Sequence, residues 1–250
     1  IKNNDNHFVL PNVINKIKVD ESKKIKDKYI LFYGVLNSTA NLSAYTYLIE
    51  KIYPLLKFFL KSTDTKIYIV GKNATPLHQK KYENIKLIGE VDDIATYIKN
   101  SLLVLFPLTV ASGTLTRILE VASLKKSIVA TSRAASGLDL EGKIFIANKE
   151  DEIAGDILTI CQNKQTKEKY ENIAFKYVSN NYSFSNVQEK LSTIIKDITS
   201  KTSVLHIPRR FTKSHWGGTE NVVVSIANGL KNYGIKSKVI TSDILSDKKE

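Results

Sequence analysis

Short apolar runs alternate with longer segments whose apolar positions recur every three or four residues, and the alternation continues through residue 198. Runs at 29–35 (YILFYGV), 66–70, 85–88 and 102–106 (LLVLF) are apolar at most positions and rich in β-branched or aromatic residues. Each has a Gly or Pro at its end. Near-continuous apolar runs suit the strands of a parallel sheet covered on both faces, because neither face meets water. Shorter runs at 127–130 and 143–146 repeat the pattern. Between the runs the spacing predicts a helix over 41–60, with Pro54 kinking or resetting it. A short helix capped by Asp92 or Asp93 runs to Asn100, and another spans 114–124. Three further helical stretches end near Ile198. Strands alternating with helices predict an α/β fold: a Rossmann-like parallel sheet with helices on both faces.

After Thr202 the pattern restarts. A strand over 203–207, a helix opening at Gly217-Gly218 and reaching Leu230, a Gly at 234 and a strand over 236–241 make one βαβ unit. A unit of this size is too small to form a domain alone. The expected organisation is therefore a domain over 1–200 and a partial second domain over 203–250.

Composition narrows the class. Hydrophobic residues are 42% and charged residues 25% of the 250, the balance of a folded globular protein. The single cysteine, Cys161, excludes an intramolecular disulfide and points to a reducing compartment, the cytoplasm. His7, His78, His206 and His215 show no ligand spacing, so no metal is expected. No window reaches the ~18 uninterrupted apolar residues of a membrane span. The polar N-terminus lacks a signal-peptide core, and the chain starts at Ile without a Met, which suggests a piece of a longer protein. The net charge is +12, but only Arg117, Arg133, Arg209 and Arg210 among the 37 basic residues are arginines. So few guanidinium forks argue against a nucleic-acid partner. The spread lysines read first as a solvated surface and second as attraction to an anionic membrane, a peripheral contact on its inner face.

Ligands of an open parallel sheet collect at the carboxyl ends of its strands. Three loops fall there: Gly34-Val35-Leu36-Asn37, Ala111-Ser112-Gly113-Thr114, and 131–138. A glycine at a helix start lets backbone N–H groups approach a phosphate, and the helix dipole favours its charge. None of the loops is a Walker loop or reads GxGxxG. Leu115, Ile118, Leu119 and Ala122 follow core spacing, which leaves Ser112, Thr116 and Glu120 on another face. A carboxylate there could hold paired sugar hydroxyls, or it could be a surface Glu paired with Arg117 or Lys125. Position alone separates neither reading.

The series Phe106-Pro107-Leu108, Ala111-Ser112-Gly113-Thr114-Leu115 and Ile118-Leu119-Glu120 resembles the donor-binding segment of family 4 glycosyltransferases, which have the GT-B fold. Flanking elements agree in order: Pro11-Asn12-Val13-Ile14-Asn15, ILFYGVLN at 30–37, Ile69-Val70-Gly71, GEVDD at 89–93, SIVATSRAASGLD at 127–139 and Tyr182-Ser183-Phe184. The likeness covers residues 8–198 and corresponds to the C-terminal, nucleotide-sugar-binding half of such an enzyme. Val204-Leu205-His206-Ile207, Gly217-Gly218-Thr219-Glu220 and Val239-Ile240-Thr241 are similar to the start of an N-terminal half. A single enzyme of this fold runs in the opposite order, so the chain is tandem or circularly permuted, and it reads as the junction of two tandem modules.

The resemblance implies transfer of a sugar, with retention, from a nucleotide-diphosphate donor to a glycan or lipid-linked acceptor, as in polysaccharide biosynthesis, without cofactor or metal. It implies donor contacts at Gly34, Val35, Asn37, Ser112, Gly113, Thr114, Arg117 and Glu120, and a phosphate loop at Gly217, Gly218 and Glu220 in the second module. Phosphate binding would rest on backbone amides at Gly34 and Gly113–Thr114, helped by Arg117 or Arg133. Glu120 matches the second of the family's two glutamates, while Ser112 stands at the first, and no catalytic residue is assigned. The fragment is expected to be inactive alone. An inactive, glycosyltransferase-like scaffold and a GT-B-like sugar-nucleotide epimerase are the rival readings.

Overall fold

The computed structural model describes residues 10–15, 17–20, 22–72, 82–110, 113–199, 203–207, 218–232 and 235–240. The chain divides into two compact units, one of residues 14–180 and one of residues 1–13 with 181–250.

The unit of 14–180 is built on six strands: β1 (Lys28–Tyr33), β2 (Thr65–Val70), β3 (Ile85–Gly89), β4 (Leu103–Phe106), β5 (Ile128–Ala130) and β6 (Phe145–Ile146). Their order is β3-β2-β1-β4-β5-β6, and every neighbouring pair is parallel. The helices are α1 (Thr39–Tyr47), α2 (Tyr53–Ser62), α3 (Ile94–Asn100), α4 (Thr116–Ser123), α5 (Glu150–Gln162) and α6 (Lys164–Tyr182), the last reaching two residues beyond this unit. All six strands fall where the apolar runs predict them, although the run at 143–146 contributes only two residues to the sheet. The central strands are buried over most of their length: Tyr29 to Phe32, Ile67 to Val70 and Leu103 to Phe106. Each such large side chain adds about 1.5–3 kcal/mol by leaving water, so the sheet centre is the main source of stability. The strand order reverses between β1 and β4, and in this topology the loops leaving both strands diverge to open a crevice.

Local chemistry sets the helix ends. Ser38 caps α1, its hydroxyl accepting the Asn41 N–H at 3.3 Å, so the helix starts two residues before the expected position. Pro54 resets the helix: a π-helical turn, Leu48–Ile52, lets the Tyr53 N–H reach the Leu48 carbonyl five residues back. The missing Pro54 donor thus falls where the helical ladder has already changed register. Asp93, and not Asp92, caps α3, its carboxylate accepting the Thr96 N–H at 3.1 Å. Helix α4 begins at Thr116, two residues after the expected start, and Ser112, expected to share a face with Thr116 and Glu120, is not among the described residues.

In the other unit, α7 (Phe184–Thr199) precedes β7 (Ser203–His206), α8 (Gly218–Lys231) and β8 (Lys236–Val239). Strands β7 and β8 pair in parallel and α8 packs on both, the βαβ arrangement expected after Thr202. Among the described residues no helix is long and apolar enough to cross a membrane.

Candidate functional site

The strands β1 and β2 are followed, and β3 is ended, by glycines, and the ladder continues past them. The Gly34 N–H donates to the Val70 carbonyl at 3.0 Å, the Gly71 N–H to Gly89 at 2.7 Å, and the Leu36 N–H to Lys72 at 3.0 Å. Gly71 has φ +148°, and a Cβ there would collide with the Gly34 carbonyl oxygen. Only glycine lets these two strand ends approach so closely.

A cavity of about 360 Å³ opens at these ends. One wall is Tyr33, Gly34, Val35, Asn41 and Arg117; the other is Val70, Gly71, Lys72, Glu90, Val91 and Ile94. Lys72 Nζ and Glu90 Oε1 form an ion pair at 2.7 Å, both side chains mostly in solvent.

Arg117, from the first turn of α4, reaches the cavity wall. It donates to the Tyr33 carbonyl and, at 2.9 Å, to Asn41 Oδ1. Its guanidinium lies 5.4 Å from the Tyr33 ring centroid and 5.8 Å from that of Phe106, over faces whose quadrupole attracts cations. Burial lowers the Arg117 pKa, and the neighbouring Tyr33 and Glu120 act against that shift. Glu120 lies one turn further along α4. Burial raises its pKa, and Arg117 opposes the rise. The Tyr33 hydroxyl is pushed up as well, by burial first and by Glu120 second. A half-buried carboxylate that is costly to ionise therefore sits beside the cavity wall.

Of the residues expected to contact a donor, Gly34, Val35 and Arg117 line the cavity. Glu120 does not line it but acts electrostatically on two residues that do, Tyr33 and Arg117. Asn37 follows in the same loop, outside the lining. Gly113 has φ +76° and an open surrounding, and Thr114 stands beside Gly137. The Gly34 amide expected to meet a phosphate is taken by Val70, so Gly34 acts through the space it leaves. Ser112 and Gly217 lie outside the described residues. Gly218 opens α8, with Glu220 in its first turn. Asn41, Lys72 and Glu90 were missed as site residues. The glycines that end the strands beside them were the available signal, whereas the approach of Asn41 to Arg117 has none in the sequence.

A doubly wound parallel sheet with a cleft at its carboxyl ends is the Rossmann-like α/β architecture. The family model described as glycosyl transferases group 1 matches residues 27–163, and the chain belongs to that family. Among solved structures it is similar to TarM of S. aureus, with TM-score 0.59 and 17% identity, covering 75% of this chain and 38% of TarM. It is similar to HepE of Anabaena, solved in complex with UDP-glucose, with TM-score 0.53 and 17% identity over 69% of this chain and 49% of HepE. A glycosyltransferase from Rickettsia africae gives TM-score 0.53 and 19% identity, over 71% of this chain and 49% of that one. These likenesses are of fold, the GT-B architecture, and the chain spans less than half the length of each. No curated protein matches the sequence.

Proposed function

We propose that this chain carries the donor half of a retaining glycosyltransferase, binding a nucleotide-diphosphate sugar whose sugar passes to a glycan or lipid-linked acceptor. The observation that carries the reading is the cavity at the ends of β1, β2 and β3, with Arg117 in its wall and Glu120 behind it. Membership of the family and the fold likeness to HepE, solved with UDP-glucose, support it. In the transfer, the bond from the anomeric carbon to the diphosphate oxygen breaks and one to the acceptor oxygen forms on the same face. The acceptor proton leaves, and the nucleoside diphosphate departs. The protein's share is positioning and electrostatic stabilisation of the leaving diphosphate. The resemblance gives this step no metal and no cofactor, and donor binding insensitive to EDTA is the corresponding expectation.

The order of halves suggests two tandem modules, with the Gly217, Gly218 and Glu220 loop serving the second and no turnover by this chain alone. We extend the reading to peripheral contact with an anionic membrane through the outer face of α2. There Leu55 and Phe58, the latter 86% exposed, stand among the exposed Lys51, Lys57 and Lys61. Titration calorimetry with UDP-glucose, GDP-mannose and ADP-glucose tests the donor reading. Saturable binding of one of them is expected, and no binding of any at millimolar concentration would refute it.

A further inference from the structure

We propose that Arg117 and Asn41 are positioning residues that lock the loop between β1 and α1, and that Arg117 does not neutralise the donor diphosphate. The inference rests on the donor-site reading for its ligand, but its geometry is independent of that reading. Arg117 Nη1 holds the Tyr33 carbonyl and Nη2 holds Asn41 Oδ1. Asn41 passes the link on, its Nδ2 donating to the Val35 carbonyl at 2.9 Å. The carbonyls on either side of Gly34 are thus tied to one connected pair, with one member on α4 and the other on α1. Asn41 is only 7% exposed, so water scarcely competes for these bonds.

The chemistry calls for these residue types. A guanidinium presents separate nitrogens in a rigid fork, so one side chain bridges two acceptors of fixed separation; an ammonium is a single point. An amide offers an acceptor to Arg117 and a donor to Val35 at once through two separate atoms; an ionised carboxylate has no donor, and a hydroxyl has a single oxygen for both. Gly34 completes the arrangement: a Cβ there would lie 2.8 Å from Asn41 Nδ2 and would collide with Arg117 Nη1. Each terminal nitrogen of Arg117 gives one N–H to a protein acceptor, so Tyr33 and Asn41, and not a ligand, set the orientation of the guanidinium.

The test compares R117K, R117M and N41A in the full chain, by amide hydrogen exchange and by calorimetry with UDP, GDP and ADP. The reporter amides are Gly34, Leu36 and Ser38, which donate to Val70, Lys72 and Val35. Each variant is expected to speed their exchange at least about tenfold while Val104 in β4 keeps its rate, the mark of a local opening. The nucleotide that binds the wild type should lose the same fold in affinity in R117K and R117M, because the retained charge does not rescue the lost fork. Wild-type affinity in R117K with loss in R117M would assign Arg117 to the phosphate and overturn the inference. Unchanged exchange in R117K and N41A would overturn it too, and these two decide if R117M does not fold. A wild type that binds none of the three nucleotides refutes the donor reading, and exchange alone then decides the positioning role.

Discussion

At the residue scale, the glycines that end the strands differ in what they do. Gly71 combines φ +148° with a Cβ position that overlaps the Gly34 backbone, which cannot move without breaking the ladder. Gly89 has φ +84° but open space around it. Gly71→Ala should therefore cost about 3 kcal/mol or more of stability, and Gly89→Ala about 1–2 kcal/mol, as read by urea unfolding. Equal costs would show that the strand ends part easily. Glu120 makes a separate prediction, because burial raises its pKa above the ordinary 4.5. The folded state then binds the proton more tightly than the unfolded chain. The stability this gives is complete below pH 4.5 and is lost as pH rises through the raised value. The stability of the wild type relative to Glu120→Gln should fall across that window in urea titrations; a flat difference would mean an unshifted carboxyl. Because Glu120 reaches the cavity only through Tyr33 and Arg117, Glu120→Ala should weaken nucleotide-sugar binding by less than about 1 kcal/mol in calorimetry while the fold persists; a loss of about 1–3 kcal/mol would place its carboxylate on the ligand.

At the scale of the element, α2 carries two faces of different character. Tyr53, Leu56 and Leu60 are buried, while Leu55 and Phe58 face solvent. An exposed aromatic among lysines suits the boundary of an anionic bilayer, where the ring enters the acyl edge and each ammonium near the surface adds about 1 kcal/mol. Phe58→Glu should abolish co-sedimentation with phosphatidylglycerol vesicles and leave the unfolding midpoint within experimental error, since the side chain touches little in the fold. Retained sedimentation would refute the proposed contact through α2. Helix α4 shows how local sequence misleads. Its apolar spacing extends back to Leu115, yet Leu115 is the cap residue and the helix starts at Thr116. Periodicity records which side chains meet the core and is silent on where the backbone begins to hydrogen-bond.

Across the whole molecule, strand β1 lies between β2 and β4, whereas β7 pairs with β8 in a two-stranded sheet. A two-stranded ladder opens at lower free energy than the centre of a six-stranded one. Amides of 203–206 should exchange much faster than those of 28–33, as expected if the βαβ unit is the start of a second module. Equal protection would place 203–206 in a continuous core and defeat the tandem-junction reading.

The fold class and all six strands of the larger sheet were legible in the sequence: the inner strands because burial on both faces demands a nearly continuous apolar run, and the half-buried edge strands β3 and β6 through their short apolar runs. The loops at the strand ends were legible as well, through Gly34 and Gly71. Parallel order follows from the alternation of strands and helices, and the cleft's place follows from parallel order. What the sequence could not reveal is which side chains share that cleft. Arg117 reads as a partner of Glu120 or a helper in phosphate binding, and Asn41 as one more polar residue on a helix. Only the approach of α4 to α1 across the end of β1 joins them, residues 76 apart in the chain. Pairing of that kind leaves no periodic trace, since a single long-range hydrogen bond constrains two positions and none of their neighbours.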